Sequence, residues 1–75
     1  MINEEKLGAY FVNVFRLHSE HPTWRLGQAF FNALQEVNPS AADEVRGTVC
    51  DPCYSDARLT LFFHWLEQNK ERHWR

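Results

Sequence analysis

Long hydrophobic runs are missing from this chain of 75 residues, whose longest unbroken apolar stretch is residues 9–12. A helix needs about 20 apolar residues to span a bilayer, so no segment qualifies as a membrane span. The N-terminus also lacks a basic segment followed by an apolar stretch, and we therefore expect no signal peptide. These absences predict a soluble, cytoplasmic protein that does not contact membranes.

A strong charge of one sign is lacking as well, because eight Lys and Arg stand against ten Asp and Glu, for a net charge of −2. This balance disfavours a basic arm that binds nucleic acid, and it is too weakly acidic to indicate a DNA mimic. The chain is long enough for one hydrophobic core and too short for two. We therefore expect a single domain over residues 1–75.

Only three breaks interrupt the apolar pattern, at residues 21–23, 38–40 and 47–55. Between them the apolar spacing is helical, and no sustained alternation of period two indicates a strand. The sequence therefore predicts an all-α fold, a compact bundle of three main helices plus one short helix. The predicted helices cover about residues 4–20, 24–37, 41–46 and 56–70.

The predicted helix ends depend on capping residues. Asn3 and Thr23 are good N-caps for the first two helices, and Pro22 ends the first because it disfavours helical geometry at the preceding residue. Ser40 is expected to begin the short third helix. Gly47 follows that helix and can adopt the left-handed conformation that often ends one.

Each long helix has an apolar stripe that predicts its buried face. The three stripes are Leu7, Tyr10, Phe11, Val14, Phe15, Leu17 and His18 in the first helix, Leu26, Phe30, Ala33, Leu34 and Val37 in the second, and Leu59, Phe62, Phe63 and Leu66 in the last. We expect Phe30, Leu34, Phe62 and Phe63 to be nearly fully buried. His18 is expected to be a hydrogen-bonded, neutral histidine of the core.

The chain has two cysteines, Cys50 and Cys53, separated by two residues. A thioredoxin-like redox site needs a strand–helix context that this sequence does not predict. A zinc site needs two further ligands, for which His18 and His21, or His64 and His73, are candidates, although the spacing of both pairs differs from that of zinc fingers. We predict two reduced cysteines without a metal. The open alternative is a small zinc-dependent or nucleic-acid-associated regulator that uses these cysteines and histidines.

A catalytic site would need a nucleophile beside a histidine and an orienting carboxylate, a combination that Cys53, His18 and Asp56 offer. A substrate pocket of a few hundred cubic ångströms competes with the core for the same short chain. We therefore predict that the protein is not an enzyme and has no catalytic residue and no cofactor. The weakly basic tail, residues 70–75, is expected to be a solvated helix end that does not bind nucleic acid.

Aromatic residues are abundant, with three Trp, two Tyr and six Phe. Trp24 and Phe31 lie off the main stripe of the second helix, and Leu61 and Trp65 widen the stripe of the last. These four side chains either pack against one another inside the domain or form an exposed surface for a partner. They are the predicted partner-binding residues, and a homodimer is one way to bury them.

Short motifs between residues 24 and 66 resemble those of a group of small phage and prophage proteins that has no assigned activity. The motifs are WRLGQA at residues 24–29, FNAL at 31–34, RGT at 46–48, DP at 51–52, Tyr54, and WL at 65–66. The resemblance implies an origin in a mobile element and transfers no catalytic residue. Our hypothesis is a small interaction protein that binds a host or phage protein in the host cytoplasm, for example as an inhibitor of a host process or defence system.

Overall fold

Helices make up most of the chain. The structure, a computed structural model, describes residues 2–75. Its helices are α1 (Glu4–Glu20), α2 (Leu26–Val37), α3 (Pro39–Val45) and α4 (Leu59–His73), with a 3₁₀ turn at Asp56–Arg58 directly before α4. No β-strand occurs within this range, which confirms the all-α prediction. None of the helices in the described part of the chain is long and apolar enough to cross a membrane.

Helix α1 has the predicted bounds because both of its ends are marked by neighbouring residues. The side chain of Asn3 accepts a hydrogen bond from the N–H of Lys6 at 3.0 Å, which satisfies one of the free donors of the first turn. At the other end His21 leaves the helical region, as expected for a residue that precedes proline.

Helix α2 begins at Leu26, two residues later than predicted, and Thr23 is not its cap. The N-cap position belongs to Arg25, whose side chain makes no capping hydrogen bond. Instead, the carboxylate of Asp56 accepts a hydrogen bond from the N–H of Gly27 at 2.8 Å, across 29 positions of the chain. A cap supplied by a distant segment leaves no local signal, which is why the predicted start was wrong.

Helix α3, by contrast, begins earlier than predicted, because its cap is Asn38 and not Ser40. The side-chain oxygen of Asn38 accepts a hydrogen bond from the N–H of Ala41 at 3.3 Å, and Pro39 occupies the first turn, where its missing N–H has no cost. Gly47 follows the helix with φ of 78°, so the predicted left-handed glycine is confirmed.

The core is centred on α2, which packs against both α1 and α3. The hydroxyl of Tyr10 donates a hydrogen bond to the carbonyl oxygen of Phe30 at 2.8 Å. Helix α4 reaches α2 through Phe62 and Phe63, whose ring centres lie 6.0 and 5.0 Å from that of Phe30. The buried apolar side chains are Tyr10, Val14, Leu17, Ala29, Phe30, Phe31, Ala33, Leu34, Ala41, Ala42, Val45, Phe62, Leu66 and Trp74. Burial of Phe30, Leu34 and Phe62 is thus confirmed.

Several side chains of the predicted stripes reach solvent. Phe15 is 71% exposed, and Phe11 and Leu26 are also exposed. Phe63 is 41% exposed, so the expectation that it would be nearly fully buried was wrong. Conversely, Phe31 is only 6% exposed. The reason is the position of each helix: α2 is covered on two sides, whereas the apolar stripe of α1 is wider than the surface that α2 covers.

The C-terminal tail is docked and not frayed, in contrast to the prediction. Helix α4 continues to His73, and Trp74 is 1% exposed, with its ring stacked on Tyr10 at 5.4 Å between centres. The carbonyl oxygen of Trp74 accepts a hydrogen bond from the N–H of Asn3, and that of His73 accepts one from the side-chain amide of Asn38 at 2.7 Å. The end of the chain therefore holds the beginnings of α1 and α3 together.

Candidate functional site

The pair Trp24 and Phe31 does not form the exposed patch that its helical spacing predicted. Phe31 is buried, and the guanidinium of Arg46 lies 5.5 Å from the centre of its ring. Trp24 precedes α2 and is half-buried, with its ring stacked on His21 at 3.9 Å between centres. Because only one of the two rings is accessible, this pair does not provide a continuous apolar surface.

Leu61 and Trp65, the other predicted partner-binding pair, differ from each other in exposure. Leu61 is 46% exposed, whereas Trp65 is half-buried and its ring stacks on that of Phe62 at 6.2 Å. Trp65 also lies 5.7 Å from the ring of His73 near the end of α4. This side of α4 therefore offers one accessible aliphatic side chain beside a partly covered indole.

A more continuous apolar surface lies between α1 and α4. We call it the α1–α4 groove, and it has a volume of about 270 Å³. It is lined by Leu7, Phe11, Phe63, Leu66, Glu67 and Lys70. Four of the six lining residues are apolar, and the two charged ones are paired with each other at 2.9 Å. The groove therefore combines an apolar interior with an edge whose charges are balanced.

Three phenylalanine rings give this groove its shape. Buried Phe30 does not line the groove itself but contacts two rings that do, Phe11 at 6.4 Å and Phe63 at 5.0 Å between ring centres. Both contacts are edge-to-face, at interplanar angles of 78° and 79°, an arrangement that aromatic rings favour. Because Phe30 is held in the core, the two partly exposed rings are supported from below and preorganised.

Helix α1 extends the exposed apolar surface beyond the groove. Val12 and Phe15 are 68% and 71% exposed, and they lie on the side of α1 that is turned away from Tyr10 and the core. Contiguous apolar surface on a small soluble domain marks an interaction site more often than isolated exposed residues do. The groove and this face of α1 together form the main exposed apolar region of the described chain.

Sequence reasoning missed this region because it assigned Phe11, Phe15 and Phe63 to the core. A signal was available in the width of the α1 stripe. Leu17 and Phe15 lie about 160° apart around the helix axis, and a helix in a small domain seldom buries so wide an arc. The sequence alone does not show which edge of the arc a neighbouring helix covers.

The cysteines lie in a loop, residues 47–55, that is held by main-chain hydrogen bonds. The buried carboxylate of Asp51 accepts one from the N–H of Gly47 and one from the N–H of Cys53, each at 2.9 Å. The side chain of Arg25 donates to the carbonyl oxygen of Cys53 at 2.7 Å. Cys50 and Cys53 are both half-buried free thiols in this ordered segment.

The structure does not assemble the alternative zinc site of Cys50, Cys53, His18 and His21. Among residues 2–75, no three His, Cys, Asp or Glu side chains are grouped so that they could hold a metal ion. In the candidate catalytic combination of Cys53, His18 and Asp56, the carboxylate of Asp56 has a structural partner. It accepts a hydrogen bond from the N–H of Gly27 at the start of α2. The side chains singled out for chemistry thus have structural partners or lie apart.

The groups with the largest pKa shifts are also structural. The Glu44 carboxylate accepts two hydrogen bonds from Arg72, and its other close partner is Nε2 of His73 at 2.8 Å. The hydrogen bond from Arg72 and then that from His73 lower the pKa of Glu44 to about 2. Burial raises the pKa of Tyr10 far above its usual value. Both residues tie helices together and do not face the α1–α4 groove.

The lining of the α1–α4 groove is mainly apolar. The α1–α4 groove presents aromatic rings, aliphatic groups and one ion pair. Its lining contains no histidine, cysteine or hydroxyl side chain. No protein-family model, curated protein or solved structure matches this chain.

Proposed function

We propose that the protein is a small non-enzymatic interaction protein of phage or prophage origin, which binds a host or phage protein through the α1–α4 groove. The observation that carries the proposal is the pair of exposed rings, Phe11 and Phe63, fixed on either side of buried Phe30. Rigid aromatic side chains of this kind dominate the energy of many protein interfaces. One form of the proposal is an inhibitor of a host process, including a defence system.

The dimensions of the groove indicate which part of a partner it fits. A volume of about 270 Å³ accommodates one or two large apolar side chains, too few for a whole helix to be enclosed. Beside it, Glu67 and Lys70 can pair with polar groups that flank such an anchor. A helix or loop with a Leu or Phe anchor between polar residues therefore matches this surface.

The buried polar side chains of the described chain serve the fold. In the described part of the chain, every buried side-chain nitrogen or oxygen has a hydrogen-bond partner. The accessible α1–α4 groove, in contrast, is mainly apolar.

The experiment compares two variants of α4 that differ in the side of the helix they alter. Tagged protein captures a stoichiometric partner from host lysate, and the affinity for the purified partner is then measured for wild type, Phe63→Ser and Leu61→Ser. Phe63 and Leu61 have similar exposure, 41% and 46%, but only Phe63 lines the groove. We expect Phe63→Ser to weaken binding by about tenfold or more and Leu61→Ser to leave it unchanged.

Thermal unfolding followed by circular dichroism controls for loss of the fold, since Phe63 also contacts the core ring of Phe30. Binding that is lost in Leu61→Ser and kept in folded Phe63→Ser would place the interface on the Leu61–Trp65 side predicted from the sequence. Failure of the wild-type protein to capture any stoichiometric partner would contradict the proposal itself.

A further inference from the structure

The two cysteines stand at the ends of residues 50–53, which we call the dithiol segment. Its two inner residues, Asp51 and Pro52, are buried, whereas Cys50 and Cys53 are half-buried. Both cysteines pack against the edge of the hydrophobic core and remain partly accessible. The inner residues therefore anchor the segment in the domain, and the two thiols are left at its rim.

Hydrogen bonds fix the main chain of both cysteines. The N–H of Cys50 donates to the hydroxyl of Thr48 at 3.2 Å, and that of Cys53 donates to the carboxylate of Asp51 at 2.9 Å. The N–H of Asp51 donates to the carbonyl oxygen of Thr48 at 3.1 Å, which closes a turn that contains Cys50. Cys53 lies in the next turn, and its carbonyl oxygen accepts a hydrogen bond from Arg25 at 2.7 Å. The dithiol segment is thus ordered before any ligand binds.

The sulfur atoms, in contrast to the main chain around them, have no partner in the fold. Cys50 and Cys53 are free thiols. Neither sulfur takes part in a hydrogen bond among residues 2–75. The segment therefore offers two free sulfur atoms, three residues apart, on a main chain that is already held in place.

The number of available ligands decides which metal ion fits the dithiol segment. A structural zinc ion takes four ligands, and no third His, Cys, Asp or Glu side chain joins the two thiols within the described chain. Thiolates are soft ligands that select Cu(I), a soft monovalent cation that two sulfurs can hold in a linear arrangement. Two sulfurs without a third ligand therefore match Cu(I) and do not match zinc.

The surroundings suit the charge of such a complex, because two thiolates and one monovalent cation leave one net negative charge. Arg25 and Arg58 each donate to a main-chain carbonyl oxygen of the loop, at 2.7 and 3.3 Å. Neither guanidinium forms an ion pair with a carboxylate among the described residues. The nearby carboxylates of Asp51 and Asp56 instead accept hydrogen bonds from main-chain N–H groups. The two guanidinium groups can therefore balance the added negative charge.

We propose that Cys50 and Cys53 form a two-coordinate site for Cu(I), in which each cysteine supplies one thiolate ligand. Each sulfur exchanges its proton for a bond to the cation, so two protons are released and no electron is transferred. The fold does not depend on the cation, because hydrogen bonds hold the loop without it. The free thiols predicted from the sequence are the starting state of this site. It is separate from the α1–α4 groove, whose lining includes neither cysteine.

Anaerobic titration of the wild-type protein with Cu(I), in competition with the chromogenic chelator bicinchoninate, tests the site. We expect one cation per chain and, by X-ray absorption spectroscopy, two sulfur ligands. Cys50→Ser and Cys53→Ser should each weaken Cu(I) binding by about a hundredfold or more, because one sulfur does not replace two. The double variant His18→Asn with His21→Asn is the matched control and should bind Cu(I) like the wild type.

Three results would overturn the proposal. The first is a wild-type chain that takes no Cu(I) from bicinchoninate. The second is loss of binding in the folded histidine variant, which would restore the four-ligand site considered from the sequence. The third is one cation shared by two chains, since a single copy would then lack the complete site. Circular dichroism of each variant controls for the fold.

The groove variant Phe63→Ser separates this proposal from the proposed function. Phe63 lines the α1–α4 groove and is not part of the dithiol segment. We expect Phe63→Ser to lose partner binding and to keep wild-type affinity for Cu(I). Zn²⁺ in equal amount should not displace Cu(I) from the wild-type protein, and displacement would contradict the assignment of the cation.

Discussion

Replacement of Trp74 by alanine tests whether the tail belongs to the core. The indole is 1% exposed and stacks on Tyr10, while the main chain of Trp74 is hydrogen-bonded to Asn3. In Trp74→Ala the ring contact and its buried area are lost, and Tyr10 loses its cover. The C-terminal turn of α4 then has less to hold it against the start of α1.

The expected cost follows from area and entropy. A buried Trp removes about 200 Å² from water, worth about 5 kcal/mol at 25 cal/mol per Å². Release of the last two residues recovers about 1–2 kcal/mol of conformational free energy for each. The net loss is about 1–3 kcal/mol, at or below the lower end of the range for core Trp→Ala changes. A domain of this length has about 4–11 kcal/mol in total, so the loss is large.

Urea unfolding followed by circular dichroism measures this loss, with Arg75→Ala as the control at the neighbouring exposed position. Titration of tyrosine absorbance provides a second measurement, because burial raises the pKa of Tyr10. We expect this pKa to fall toward its usual value in Trp74→Ala and to stay high in Arg75→Ala. A Trp74→Ala variant within about 0.5 kcal/mol of wild type would refute the docked tail and restore the solvated helix end predicted from the sequence.

Three further perturbations have definite expected results. Gly27→Ala should lower the free energy of unfolding by about 1–3 kcal/mol, because the added Cβ overlaps the Pro52 carbonyl oxygen. Its urea midpoint should therefore fall, and a more stable variant would contradict this contact. The folded-state pKa of Glu44 is about 2, below its usual 4.5, so its contribution to stability is complete above pH 4.5 and is lost as the pH falls toward 2. The melting temperature of Glu44→Gln should therefore fall less steeply than that of wild type over this interval, and parallel curves would disprove the linkage. The double variant Cys50→Ser with Cys53→Ala should melt within a few degrees of wild type, with or without chelator, because both thiols are free; collapse of its fold would show that they hold a metal or disulfide.

The predicted boundaries of α1 were accurate, and the residues that determine them are its neighbours in sequence, whereas the start of α3 was wrong although its cap, Asn38, is also local. Asn3 and Pro22 mark the ends of α1, and Gly47 follows α3 in the left-handed conformation. The start of α2 was wrong because its amide is capped by Asp56, which lies 29 positions away. Local capping preferences contain no information about such a contact, since it forms only when the loop folds back onto the helix.

The candidate site was predicted less well, because exposure depends on which neighbour covers each helix. The sequence identified an excess of aromatic side chains correctly, but it placed Phe31 on a surface and Phe63 in the core. Both are apolar residues at helical spacing, and their spacing does not distinguish a covered flank from an open one. The docking of Trp74 is similar, since nothing near the end of the chain indicates that Tyr10 will be beside it.

Hydroxyl-radical footprinting of the protein alone and in complex with its captured partner tests the proposed binding surface most directly. The exposed rings of Phe11 and Phe63 should be oxidised in the free protein and protected in the complex, because the partner covers the α1–α4 groove. Tyr54, an exposed loop residue outside the groove, should react equally in both and serves as the internal standard. Unchanged oxidation of Phe11 and Phe63, together with protection of Leu61, would contradict the groove as the binding site.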